Sequence, residues 1–79
     1  MTFEQFKSVV RSNLIEAPEE SFSDDSGYHF ISPLHEIHSR NGMWSYGTFR
    51  GPMGCGETLT AAIAAESLYF TEIWLPYRR

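Results

Sequence analysis

The chain has 79 residues, with ten Asp and Glu against six Lys and Arg, so its formal net charge is −4. A chain of this length is expected to form a single domain over residues 1–79, whose core alone supplies only about 3–5 kcal/mol of net stability. One cysteine, Cys55, excludes an intramolecular disulfide and a Cys₄ or Cys₂His₂ zinc set. We therefore expect no metal and no other cofactor, and a homodimer or a complex with a partner protein is the remaining source of support.

Composition and hydropathy favour a folded protein outside the membrane. Hydrophobic residues make up 42% of the chain and charged residues 20%, which is far from the composition of disordered chains. The longest apolar stretch, residues 59–75, is interrupted by polar side chains and falls short of the roughly 20 apolar residues of a membrane span. The beginning of the chain shows no apolar signal region. We expect a cytoplasmic protein with no membrane partner.

The first predicted element is a helix that follows a capping box. Thr2 and Gln5 have the spacing at which a hydroxyl and an amide cap each other's backbone N–H groups. Apolar residues then recur at helical spacing: Phe3, Phe6, Val10 and Leu14. Pro18 disfavours helical backbone at the residue before it and so ends the helix. Residues 19–27 have no period and many turn formers, which predicts a loop.

The middle of the chain predicts a β-hairpin. Asn41-Gly42 between two apolar-rich runs is the preferred type I′ turn, because both residues tolerate positive φ. This turn pairs Ser39 with Trp44, and alternation then sorts the side chains onto two faces. The face expected to be the core side carries His35, Ile37, Ser39, Trp44, Tyr46 and Thr48. The other face carries Leu34, Glu36, His38, Arg40, Met43, Ser45 and Phe49. Residues 28–31 are also strand-like, and Pro33 marks a bulge, an edge or a break between strands.

The last third predicts a bend, a second helix and a tail. Residues 51–56 are rich in Gly and Pro and are expected to bend, and the helix opens at Glu57 or Thr58. One stripe of this helix carries Leu59, Ala62, Ile63 and Ser67 or Phe70, and four alanines keep it slim enough to approach a sheet closely. Residues 69–75 are β-prone and form a last strand or an extended tail. The order predicts an α+β fold with a small antiparallel sheet that carries the Asn-Gly hairpin and packs against the second helix.

An acidic run is the main candidate for a functional surface. Five of the ten carboxylates fall within residues 16–25, which contain no Lys or Arg: Glu16, Glu19, Glu20, Asp24 and Asp25. One interpretation is a solvated loop. The other is a partner-binding patch that imitates the spacing of phosphates and docks on a basic groove, with Glu36 and Glu57 as secondary candidates. Direct nucleic-acid binding is not expected, since phosphate contacts need Lys and Arg.

The remaining motifs do not indicate an enzyme or a metal protein. His35 and His38 are three residues apart on a strand and so point to opposite faces, which argues against a shared metal ion. The glycines of residues 51–56 indicate a tight connection rather than a phosphate cradle, because the lysine of a P-loop is missing. Cys55 has no evident orienting group or oxyanion hole, and we expect no catalysis by it.

Two stretches resemble a known family. Tyr46-Gly47-Thr48-Phe49 and the run Gly54-Cys55-Gly56-Glu57-Thr58-Leu59-Thr60-Ala61-Ala62-Ile63 are similar to the strand, bend and helix of HicB-type antitoxins. This resemblance implies a regulatory module that binds and neutralises a small toxin.

In size, net charge and lack of catalytic residues, the whole chain resembles the small acidic inhibitors of phages and other mobile elements, including anti-CRISPR proteins. That resemblance implies a non-enzymatic DNA mimic. It would bind a host nucleic-acid-handling complex and block the access of DNA or RNA to its basic surface.

Overall fold

Within the described part of the chain, the fold consists of two helices and five strands. The computed structural model describes residues 1–14, 20–49, 51, 53–69 and 71–72. Its elements are, in chain order, α1 (Phe3–Leu14), β1 (Ser21–Asp24), β2 (Gly27–Ile31), β3 (His35–Arg40), β4 (Met43–Thr48), β5 (Met53–Gly56) and α2 (Leu59–Tyr69). The strands form one antiparallel sheet in the order β1 to β5. This arrangement confirms the predicted α+β class. Neither helix is long and apolar enough to cross a lipid bilayer.

Helix α1 begins at the predicted capping box. The backbone N–H of Gln5 donates to Thr2 Oγ1 at 3.1 Å, and the backbone N–H of Thr2 donates to Gln5 Oε1 at 2.7 Å. Phe6 and Val10 are fully buried on its inner side, and the Phe6 ring stacks on Trp44 with centroids 5.3 Å apart. The helix is therefore fixed to the sheet by the apolar positions that its sequence spacing predicts.

The β3–β4 hairpin has the predicted turn and register. Asn41 and Gly42 adopt φ angles of 51° and 79°, and Ser39 pairs with Trp44 across the strands. Pro33 lies in the connection between β2 and β3, so of the three predicted roles it has that of a break between two strands. The predicted core face is confirmed, and with residues from the helices and β2 it forms one apolar cluster: Phe6, Val10, Phe30, Ile37, Trp44, Tyr46, Leu59 and Ala62.

The predicted loop at residues 19–27 is wrong, because most of it is a hairpin formed by β1 and the start of β2. Asp25 and Ser26 make its two-residue turn, and Ser26 donates its backbone N–H to Asp24 Oδ1 at 2.8 Å. Asp and Ser side chains stabilise such turns by bonding the backbone two residues on. The turn formers that indicated a loop are therefore the residues that reverse the chain between two strands.

The predicted bend at residues 51–56 is also wrong for residues 53–56, which form strand β5. A Cβ on Gly54 would overlap the backbone of Ala62 and Glu66, and a Cβ on Gly56 would lie 2.8 Å from the Cβ of Ala61. These glycines thus serve close packing of α2 on the sheet rather than a bend. The predicted slimness of α2 is confirmed by the same contacts.

Helix α2 begins after Thr58, the second of the two predicted opening residues, and the Ala61 N–H donates to Thr58 Oγ1 at 3.1 Å. Its buried positions are Leu59, Ala62 and Glu66, so the expected place of Ser67 in the apolar stripe is wrong. Burial raises the pKa of Glu66, and the neighbouring charge of His35 opposes this. Tyr69 ends α2 and residues 71–72 are also helical, so the β interpretation is wrong there. Residues 70 and 73–75 lie outside the described part of the chain.

Candidate functional site

The two faces of the sheet differ in what covers them. Helix α2 packs on β4 and β5 and α1 contacts β2, both on the face that carries Phe30, Ile37 and Tyr46. We call the opposite side the open face. Strand pairing aligns one row of its residues across all five strands: Phe22, His29, His38, Ser45 and Cys55. Neither α1 nor α2 covers this row.

Six large apolar side chains are exposed on the open face and at its end beside the β2–β3 connection. Their exposed fractions run from 39% for Ile31 to 70% for Phe49, and the full set is Phe22, Ile31, Leu34, Met43, Phe49 and Met53. Single exposed apolar residues are ordinary, but a set of this size on one face is typical of an interaction surface. The open face is therefore the candidate functional site.

A pair of histidines lies in the middle of this face. His29 Nδ1 and His38 Nδ1 are 2.7 Å apart, a hydrogen-bond distance. On its other side, His29 Nε2 lies 2.8 Å from Asp24 Oδ1 and 2.9 Å from Ser26 Oγ. The Ser26 hydroxyl donates to the same Asp24 oxygen at 2.6 Å. Asp24, Ser26, His29 and His38 thus form one hydrogen-bonded chain, which we call the histidine chain.

Aromatic contacts enclose His29 although no helix covers it. Phe22 stacks on its ring with centroids 4.8 Å apart, and the His38 ring meets it edge-on at 4.9 Å. His29 is only 5% exposed as a result. Phe22 itself remains 43% exposed, so it both shields the histidine chain and contributes to the outer apolar surface.

The histidine chain perturbs the titration of two of its members. Hydrogen bonds from Ser26 and His29 lower the pKa of Asp24 to about 2, so this carboxylate is ionised at neutral pH. Burial and the nearby charge of His29 lower the pKa of His38, and Arg40 acts in the same direction. Glu36, whose Oε1 lies 3.8 Å from His38 Nε2, opposes that shift, as does Asp24.

The predicted acidic residues do not form one cluster. Glu20 precedes β1, whereas Asp24 is the last residue of β1 and Asp25 follows it, so the strand separates Glu20 from the other two. Glu36 lies on the open face in β3, and Glu57 follows β5 at the opposite edge of the sheet. All five are exposed. The other two predicted site residues, Glu16 and Glu19, lie outside the described part of the chain.

Among the described residues, two of the three cations lie on the other side of the sheet. Lys7 and Arg11 are on α1, where Lys7 pairs with Glu4 at 2.9 Å. Arg40, the third cation within the described ranges, donates from Nε to the backbone oxygen of Ser26 at 2.9 Å. The open face therefore carries its exposed apolar side chains around the histidine pair and, among the described residues, more carboxylates than cations.

One prediction about the histidines is confirmed, and one contact between them was not predicted. His35 and His38 are on opposite faces, as expected, and the His35 ring contacts Tyr46 on the covered side at 5.8 Å. The pairing of His29 with His38 was missed, because the register of β2 against β3 depends on the connection around Pro33. Within residues 1–14, 20–49, 51, 53–69 and 71–72, no group of three or more His, Cys, Asp or Glu residues is placed to hold a metal ion.

Cys55 ends the row at the far edge of the sheet. It is exposed, and its thiol lies 3.8 Å from Ser45 Oγ. No histidine or carboxylate contact to this sulfur is found among the described residues, and the arrangement offers no base for a nucleophile.

Comparisons with protein-family models, with curated proteins and with solved structures found no match to this chain.

Proposed function

We propose that this chain is a non-enzymatic, cytoplasmic inhibitor that uses the open face of its sheet to cover the basic, nucleic-acid-binding surface of a partner protein. The observation that carries the proposal is the set of six exposed apolar side chains on the face that α1 and α2 leave uncovered. Protein interfaces are enriched in aromatic and Met side chains. Here Phe22 and Met53 lie on the edge strands β1 and β5, and Met43 and Phe49 lie at the two ends of β4, so the apolar contacts surround the histidine pair.

The charges among these apolar contacts favour a basic partner. Asp24, Asp25 and Glu36 are exposed on or beside the open face, and two of the three described cations lie on α1 behind it. Complementary charge accelerates association and selects among partners. The same distribution disfavours direct contact with nucleic acid, whose phosphates need Lys and Arg. A surface that normally binds nucleic acid is the kind of protein surface that such a face would fit, as the resemblance to anti-CRISPR inhibitors implies.

The test is affinity capture of a partner from nuclease-treated host lysate, followed by competition with nucleic acid and comparison of variants. We expect the wild-type chain to retain a protein that added DNA or RNA displaces. Charge reversal by Glu36→Lys and Asp25→Lys should weaken retention at least tenfold, and Ile31→Lys should do so by removing an apolar contact. Glu4→Lys makes the same charge change on α1 and serves as the matched control.

Two results would overturn the proposal. One is a partner that the open-face variants retain as well as the wild type does. The other is a partner that nucleic acid does not displace, such as a small toxin encoded beside this gene, which would favour the antitoxin alternative. Circular dichroism of each variant keeps a loss of binding distinct from a loss of folding.

A further inference from the structure

We propose that the His29–His38 pair is a one-proton switch that sets the charge of the open face, so that mild acid releases the bound partner. The uptake of this proton is a property of the free protein alone. The release of a partner rests on the proposed function above.

Hydrogen bonding fixes the protons of the neutral pair. Ser26 donates its hydroxyl hydrogen to the ionised Asp24 carboxylate. Toward His29 Nε2, the Ser26 oxygen and the Asp24 oxygen can then act only as acceptors. His29 Nε2 must therefore carry the hydrogen. A neutral His29 then has a lone pair at Nδ1. Because His29 Nδ1 faces His38 Nδ1 at 2.7 Å, the hydrogen between the rings must come from His38. The neutral state therefore has hydrogen at Nε2 of His29 and at Nδ1 of His38.

One added proton preserves every bond of this network. It binds at His38 Nε2, which faces the Glu36 carboxylate at 3.8 Å. Transfer of the hydrogen between the two Nδ1 atoms spreads the charge over both rings and places part of it beside Asp24. The proton therefore cancels one of the two carboxylate charges that flank the pair.

A second proton does not fit. With both rings charged, each Nδ1 would carry hydrogen, and two donors would face each other at 2.7 Å. While the rings stay in contact, the pair can therefore take up only one proton. Further protonation requires the rings to separate.

The groups that face the pair come from each element beside it. From β1 and its turn these are Asp24 and Ser26, and Phe22 is the apolar cover. From β3 they are Glu36 and Arg40, of opposite charge. From β4 the neighbour across the strands is Ser45, which does not titrate, and Cys55 lies one strand further on. Among the described residues, the charged groups around the pair are thus two carboxylates and one guanidinium.

The charge change lies at the centre of the proposed docking surface. Above the midpoint of the switch, the open face keeps the full charge of Asp24 and Glu36 and attracts a basic partner. Below it, one of these charges is cancelled where it would be desolvated in the complex. A unit of charge at such a position is worth at least about fivefold in affinity, which is the value that Coulomb's law gives for a pair about 4 Å apart at the dielectric of bulk water.

The proton part is tested by ¹⁵N-detected histidine NMR of the free, full-length chain from pH 8 to pH 5. We expect the His29 ring in its Nε2–H form and the His38 ring in its Nδ1–H form at high pH, and a common midpoint for both. His35, on the covered face, is the internal control. Separate midpoints for His29 and His38, or an Nε2–H form for His38 at high pH, would overturn the switch. Glu36→Gln should shift the common midpoint to lower pH.

The release part is tested with the captured partner at pH 7.5 and pH 5.0. Wild type should lose about fivefold more affinity between these pH values than the double variant His29→Gln, His38→Gln, in which neither amide titrates. Equal losses would overturn the release while leaving the proposed function intact. Absence of a partner at pH 7.5 would instead overturn the proposed function, and the NMR result would still decide the switch.

Discussion

The two faces of the same five strands differ in what covers them, and we propose that one serves stability and the other recognition. On the covered face, glycines let α2 approach closely and aromatic rings fill the space beneath α1. On the open face, side chains of similar size remain 39–70% exposed around a histidine pair. Because strand residues alternate, each strand serves both purposes. The difference indicates that substitutions on the covered face change folding, whereas those on the open face change binding.

The largest expected effect is at the closest contact of the covered face. Gly54→Ala would place a Cβ against the backbone of Ala62 and Glu66, where no side chain can move aside. Overpacking of this kind costs about 3 kcal/mol, which approaches the whole stability of so small a domain. Gly42→Ala is the matched control, since nothing lies within 4 Å of the Cβ that this substitution adds. Only the positive φ of 79° opposes the alanine, and it costs about 1 kcal/mol of stability. Urea unfolding measures both, and equal losses would contradict the packing of α2 on β5.

Two isoleucines compare the faces directly. Ile37 is fully buried and Ile31 is 39% exposed. Ile37→Ala should lower the free energy of unfolding by about 2–5 kcal/mol. Ile31→Ala should lower it by about 0.5 kcal/mol, as is usual for a surface position. Chemical denaturation of the two variants checks this order. A larger loss of stability for Ile31→Ala than for Ile37→Ala would mean that the open face is covered in solution.

A smaller effect is expected from pH. The pKa of His38 is lowered in the folded state, so its contribution to stability is complete above the ordinary histidine value of about 6.5. That contribution is lost as pH falls through the lowered value, because the unfolded chain then binds the proton more readily. Asp24, whose pKa is lowered to about 2, adds a second loss of stability as the pH falls below the pKa of an ordinary carboxyl group. Thermal unfolding from pH 8 to pH 3 should show the first loss in wild type and not in His38→Gln.

Local signals predicted most of the fold. The capping box at Thr2, the Asn41-Gly42 turn and the Thr58 cap depend on neighbouring residues and could be found from spacing. Strands β1 and β5 could not. β1 forms a hairpin with β2 across Asp25-Ser26, which is not one of the glycine-containing turns typical of tight hairpins, and β5 is stabilised by α2 packed against Gly54. Their turn-forming and glycine-rich composition indicated irregular structure.

The candidate site was predictable only in part. The exposed side of β3 and β4, including Glu36, His38 and Met43, followed from alternation about the hairpin turn. The meeting of His38 with His29 did not, since it requires the register across Pro33. The acidic run was correctly seen as exposed at Glu20, Asp24 and Asp25, but its spread along β1 required the strand that the sequence did not reveal.

The central claim, that a partner binds on the open face, is tested most directly by oxidative footprinting of the three methionines in the captured complex. Met43 and Met53 lie on the open face with 47% and 49% exposure, and Met1, before α1, is similarly exposed at 55%. The account predicts that complex formation protects Met43 and Met53 from oxidation and leaves Met1 as reactive as in the free chain. Protection of Met1 with Met43 and Met53 unchanged would contradict it.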